Sequence, residues 1–119
     1  MAPCCILIAP DSFKGSLSAL EACEAIGRGA RRAWPDASLR LFPLSDGGEG
    51  FLECVRVSMS LEERRSSVTG ADGCPREVRW LFDPCEGRAW LEAAEVIPFQ
   101  GEGAALVEGG TSLGVGELI

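Results

Sequence analysis

The chain has no histidine, tyrosine or asparagine in its 119 residues. Without imidazole, Ser–His and Cys–His nucleophilic pairs and His-ligated metal sites are excluded. Lysine is nearly absent too: Lys14 is the only one among 11 basic residues, the rest being arginine. Those 11 face 18 acidic residues, a formal charge of −7, which argues against a phosphate-backbone surface and so against a nucleic-acid partner. Long apolar runs are missing as well. The longest, Cys4 to Pro10, is far short of a membrane span, and it has neither the basic flank nor the cleavage site of a signal peptide. There is no Cys-x-x-Cys spacing among the cysteines at 4, 5, 23, 54, 74 and 85, so the thiols are expected to be reduced and packed rather than stapled or metal-bound. These absences together predict a cytoplasmic chain with no membrane partner. The side chains left for chemistry are carboxylates, hydroxyls, thiols, arginines and one ammonium group.

What is present fits a folded domain: 46% hydrophobic and 24% charged residues are ordinary for a globular chain and wrong for a disordered one. Cys5-Ile6-Leu7-Ile8-Ala9 reads as a strand buried on both faces, as in a parallel sheet. Ser18-Ala19-Leu20-Glu21 matches a capping box, and Leu20, Cys23, Ile26, Ala30 and Ala33 make an apolar helical stripe that Pro35 closes. Leu39, Leu41 and Phe42 supply a second strand, and Phe51 to Val57 a second helix with Phe51, Leu52 and Val55 inward. Strand, helix, strand, helix predicts an α/β fold, a parallel sheet flanked by helices, with both strand-to-helix loops at the same carboxyl edge.

Beyond Leu61 the period changes. Segments at Ser67–Thr69, Glu77–Phe82 and Arg88–Glu92 read as short strands, with turns at Gly70–Gly73 and Asp83–Gly87. The expected organisation is an α/β part over 1–59, a β-rich region over 60–98, and a glycine-rich loop leading into a short helix over 99–119. Thr111 and Ser112 form a hydroxyl pair suited to capping that helix. The chain stops a turn or two later, which predicts an amino-terminal piece of a longer protein.

Two loops carry the chemistry. Asp11-Ser12-Phe13-Lys14-Gly15-Ser16 gathers an acid, hydroxyls and the single lysine before a helix, where unpaired N–H groups and partial positive charge favour anions. Lys14 suits a phosphate or carboxylate, and Asp11 suits magnesium or a hydroxyl proton. The same residues equally make a plain strand-to-helix turn capped by Ser16 or Ser18. The spacing is not that of a Walker A loop. In the second loop, Asp46-Gly47-Gly48-Glu49-Gly50, glycines permit close backbone approach and the acids suit a metal or a substrate hydroxyl; Asp46-x-x-Glu49 also resembles a capping box. The remaining acids, such as Glu62, Glu63 and Asp72, read as solvated faces and turns.

Ile8-Ala9-Pro10-Asp11-Ser12-Phe13-Lys14-Gly15-Ser16, followed by Asp46-Gly47-Gly48-Glu49-Gly50, resembles the amino-terminal part of the bacterial glycerate kinase family. Thr111-Ser112-Leu113-Gly114-Val115-Gly116-Glu117-Leu118-Ile119 is similar to the family's later Thr/Ser-Gly-Gly-Glu-Leu-Ile segment. The approach to it, Phe99 to Gly110, departs from the family's usual proline- and Arg/Asn-containing pattern, and the family's Gly-Ser-Ala-Thr-Asn-Asp-Gly segment has no counterpart here. The resemblance implies a two-domain α/β architecture in the whole protein and transfer of phosphate from ATP to D-glycerate with Mg2+. Carried over residue by residue, it implies catalytic roles for Lys14, Asp11 and Asp46. It implies substrate or phosphate binding by Ser12, Gly15, Ser16, Gly47, Gly48, Glu49, Thr111 and Ser112, with Asp11 or Asp46 near the metal. A rival reading is a non-catalytic anion- or nucleotide-binding module built from the same loops; a third is an inactive fragment.

Overall fold

The computed structural model describes residues 4–98 and 109–119, and the chain divides into two compact units, Met1–Ser58 and Met59–Ile119. The fold is mixed α/β, with a parallel two-stranded sheet and an antiparallel three-stranded one.

In the first unit, β1 (Cys5–Ile8) and β2 (Ser38–Leu41) pair in parallel, with Ile6 opposite Leu39 and Ile8 opposite Leu41. Between them runs α1 (Ala19–Ala33). Its start follows from the predicted capping box: the Ser18 hydroxyl accepts from the Glu21 N–H at 3.2 Å, and the Glu21 carboxylate accepts from the Ser18 N–H at 2.8 Å. It ends at Trp34, before Pro35, where Arg31 donates back to the Ala37 carbonyl at 2.6 Å. The buried face is Ala19, Ala22, Cys23 and Gly27, built of small residues, while Ile26 from the expected stripe is 44% exposed. The reason is proximity. At Gly27 an added Cβ would lie 3.2 Å from a Leu41 methyl and 3.9 Å from an Ile8 methyl, so the strands come too close for large side chains on that line.

The expectation that β1 is buried on both faces is corrected. Ile8 is buried, but Leu7 is 65% exposed and Cys5 is also exposed. Residues alternate across a strand, and α1 lies over the Ile8 and Leu41 side; Leu7, on the other side, is left largely uncovered by the described residues. The expectation of packed thiols is corrected in the same way. Cys23 is fully buried and Cys54 half-buried, whereas Cys4, Cys5, Cys74 and Cys85 are exposed; none of the six is in a disulfide. α2 (Phe51–Ser58) buries Leu52 and is tied to the preceding loop through the Cys54 thiol, which donates to the Leu44 carbonyl at 3.3 Å.

The second unit is a meander of β3 (Glu62–Thr69), β4 (Pro75–Asp83) and β5 (Arg88–Leu91). β3 is longer than expected because it recruits Glu62-Glu63-Arg64-Arg65. These charges pair along and across the strands: Arg64 with Glu62, Arg65 with Glu63 and Glu77. The turns fall where predicted, with the Asp72 carboxylate accepting from the Cys74 N–H at 3.0 Å and Asp83 from Cys85 at 2.8 Å. After β5 ends, α3 (Ala93–Val96) lies against β4, and Glu95 accepts from both the backbone and the guanidinium of Arg79. α4 (Leu113–Leu118) packs Val115 and Leu118 onto a core of Val68, Val78 and Val96. The glycine-rich loop predicted from Gly101 lies mostly outside the described residues.

Candidate active site

Parallel pairing makes both strand-to-helix loops leave from the carboxyl ends of β1 and β2. They leave side by side. The Phe42 N–H donates to the Ile8 carbonyl at 2.8 Å, and the Leu44 N–H to the Pro10 carbonyl at 3.0 Å, so the backbone pairing runs past the strands to the mouths of the two loops.

The first loop has a defined shape. One oxygen of Asp11 accepts from the Ser12 N–H at 2.6 Å. Phe13 and Leu17 then face each other across a tight hairpin: the Phe13 N–H donates to Leu17, and the Phe13 carbonyl accepts from Ser16 at 2.8 Å and Leu17 at 3.0 Å. Lys14 and Gly15 form its tip, with Gly15 at φ +73°, a conformation glycine adopts without steric cost. Next along the chain comes the first turn of α1. That turn is already occupied: Ser18 is the cap, not Ser16, and the Glu21 carboxylate sits there, held below the usual carboxylate range by the Ser18 N–H and hydroxyl.

The second loop is an Asx turn followed by α2. The Asp46 carboxylate accepts from the Gly48 N–H at 2.9 Å, and the Ser45 hydroxyl from Gly47 at 3.2 Å. Asp46 thus shapes the loop two residues on and does not cap a helix three residues on, as the capping-box alternative required. Gly47 at φ +96° and Gly50 at φ +88° need glycine; Gly48 is half-buried and Glu49 exposed.

Asp11 and Asp46 are exposed, and each spends one oxygen on its own loop, leaving the other without a hydrogen bond among the described residues. Among those residues no group of three acidic or thiol side chains could hold a metal ion. Cys23 is fully buried, and burial pushes its thiol up, against a smaller opposing effect of a backbone hydrogen bond at Phe42. A shallow depression between α1 and β2, lined in part by Gly27, Arg28, Arg31, Leu39 and Leu41, contains none of the predicted residues.

Thr111 and Ser112 belong to the second unit. Ser112 is the cap residue of α4, but its side chain makes no cap bond; the Thr111 hydroxyl accepts from the Leu113 N–H at 3.1 Å instead. Sequence reasoning missed Glu117. Its two oxygens accept from the Thr69 N–H at 2.6 Å and the Thr69 hydroxyl at 3.0 Å. The acid stands in the same segment as the hydroxyl pair, but its partner is 48 residues away and no local pattern announces it.

An α/β unit with a lysine hairpin and an acidic glycine loop at one sheet edge defines a candidate phosphoryl-transfer domain. Residues 6–119 match the glycerate kinase family. The chain is 41% identical to the glycerate kinase of Neisseria meningitidis serogroup B and 38% identical to the glycerate 2-kinase of Escherichia coli K12; each alignment covers 96% of this chain, and 31% and 30% of those proteins. A glycerate kinase 2 structure from Salmonella typhimurium LT2 superposes with a TM-score of 0.72 at 36% identity, over 97% of this chain and 32% of that one. The chain belongs to the glycerate kinase family and spans about a third of the length of these relatives.

Proposed function

We propose that this chain is part of an ATP-dependent kinase that transfers a phosphoryl group to a hydroxyl of D-glycerate. The observation that carries the reading is the continuation of the β1–β2 pairing to the Pro10–Leu44 bond, which starts the Lys14 loop and the Asp46 loop side by side. Family membership gives the reaction class its support. Lys14, on its hairpin tip, binds a phosphate oxygen or the glycerate carboxylate as a point charge. Ser12 and the turns at Gly15-Ser16 and Gly47-Gly48-Glu49 surround the anion with donors and close backbone. Asp11 or Asp46 would hold the metal through the oxygen that its own loop does not use, and the other acid would orient the attacking hydroxyl. Bound Mg2+ supplies neutralisation of charge on the phosphate oxygens. Thr111 and Ser112, in the second unit, bind substrate or phosphate oxygens through their hydroxyls. Since the chain spans about a third of its relatives' length, the 119 residues alone are expected not to turn over.

A coupled assay of ATP consumption, with and without D-glycerate, tests this in the chain extended to its relatives' full length. Lys14→Ala is expected to lower kcat by two or more decades, since losing a charge-assisted contact of this kind costs about 2–4 kcal/mol in the barrier. An unchanged kcat removes Lys14 from the mechanism. ATP or glycerate binding without glycerate-dependent ATP consumption favours the non-catalytic module.

A further inference from the structure

Residues 111–117 are held by three anchors, two at Thr69, the last residue of β3, and one at Ala71 just beyond it. The Glu117 carboxylate takes both donors of Thr69, the N–H on one oxygen and the hydroxyl on the other. Gly114 is buried against the Thr69 backbone, where an added methyl would overlap the carbonyl, so the helix lies on the strand with no room for a side chain. The Thr111 N–H donates to the Ala71 carbonyl at 3.0 Å. A helix of six residues does not hold its place by its own hydrogen bonds. Its position, and that of the hydroxyl pair at its start, comes from these anchors. The Thr111 hydroxyl is spent on the Leu113 N–H, while the exposed Ser112 hydroxyl makes no hydrogen bond among the described residues and is left to be presented.

We propose that Glu117 is a positioning residue: by gripping both donors of Thr69 it sets where Thr111 and Ser112 stand, and so how tightly that pair holds a glycerate or phosphate oxygen. The second half of this statement rests on the proposed kinase function; the grip itself does not. A carboxylate is the group that fits, because two acceptor oxygens meet two donors of one residue. A glutamine has the same shape but offers one oxygen, and its NH2 would face a donor.

Amide hydrogen exchange on the isotopically labelled chain tests the grip. Glu117→Gln is expected to speed exchange at Thr69 and Thr111 at least tenfold while Val78 and Leu81, in the middle of β4, keep their rates. Thr69→Val, which deletes the hydroxyl, is expected to behave like Glu117→Gln; Thr69→Ser, which keeps it, is expected to behave like the parent. Unchanged exchange at Thr69 in Glu117→Gln overturns the grip. A uniform rise across β3 and β4 overturns it too, since Glu117 is then only a general stabiliser. Titration with D-glycerate and with MgATP, followed at the Ser112 amide, tests the role. The ligand that shifts Ser112 in the parent is expected to lose at least fivefold in affinity in Glu117→Gln. Retained affinity with a loosened segment overturns the positioning role. Absence of any Ser112 shift in the parent removes the hydroxyl pair from binding, and the exchange rates then judge the grip separately.

Discussion

At the scale of single residues, Gly27 shows how close packing decides composition. It sits in the middle of α1, where glycine costs about 1 kcal/mol relative to alanine. The one tight contact of an added Cβ is the far end of Leu41 at 3.2 Å, the Ile8 methyl at 3.9 Å being an ordinary contact, and Leu41 is 41% exposed and able to turn away. Gly27→Ala is therefore expected to raise the unfolding free energy by about 0.5–1 kcal/mol, measured by urea titration. A loss of stability instead would mean that Leu41 is locked in place. Gly15 and Gly47 are different: at φ +73° and +96° with open space around them, they are held by backbone conformation and not by crowding. The glycines in both loops were visible in the sequence; their distinct reasons were not, because neither φ nor a neighbour 14 residues away is written locally.

At the scale of elements, the antiparallel sheet is finished by a side chain. β5 pairs β4 only from Trp80 to Asp83, and at Arg79 the edge N–H is taken by Glu95 from α3. Burial raises the Glu95 carboxyl, but the Arg79 side-chain and backbone bonds and charge outweigh it, so Glu95 lies below its ordinary value; Arg79 is raised in turn. A carboxyl depressed in the folded state stabilises the fold above its unfolded pKa, and the contribution fades as pH falls through the folded value. Thermal unfolding is thus expected to lose stability on acidification below the ordinary carboxylate range, and Glu95→Gln is expected to flatten that loss. At neutral pH the same change is expected to cost about 1 kcal/mol, kept small because Arg79 is 44% exposed. A pH profile unaltered by Glu95→Gln would show that Glu95 does not set it. The extension of β3 through Glu62-Glu63-Arg64-Arg65 was not legible in advance, since charged residues carry little strand propensity and become strand by pairing with β4.

For the whole molecule, the dominant feature is apolar surface left open around a two-stranded sheet. Leu7 is 65% exposed in the centre of β1–β2, and the outer edge of a parallel pair offers unpaired backbone groups. Leu7→Lys is expected to raise the solubility of the 119-residue chain while shifting its unfolding midpoint little, as read by static light scattering and circular dichroism. Loss of the fold in that variant would mean that Leu7 is packed in solution. The βαβα order, the capping box at Ser18, the turns and both polar loops were set by sequence alone, because capping, turn formation and hydrophobic period are interactions over four or five neighbours. Tertiary structure alone decided that Leu7 stands open while Ile8 is covered, and that Glu117 grips Thr69. Each of these depends on which distant backbone arrives alongside, and that is fixed by the energy of the assembled chain and by no short stretch of it.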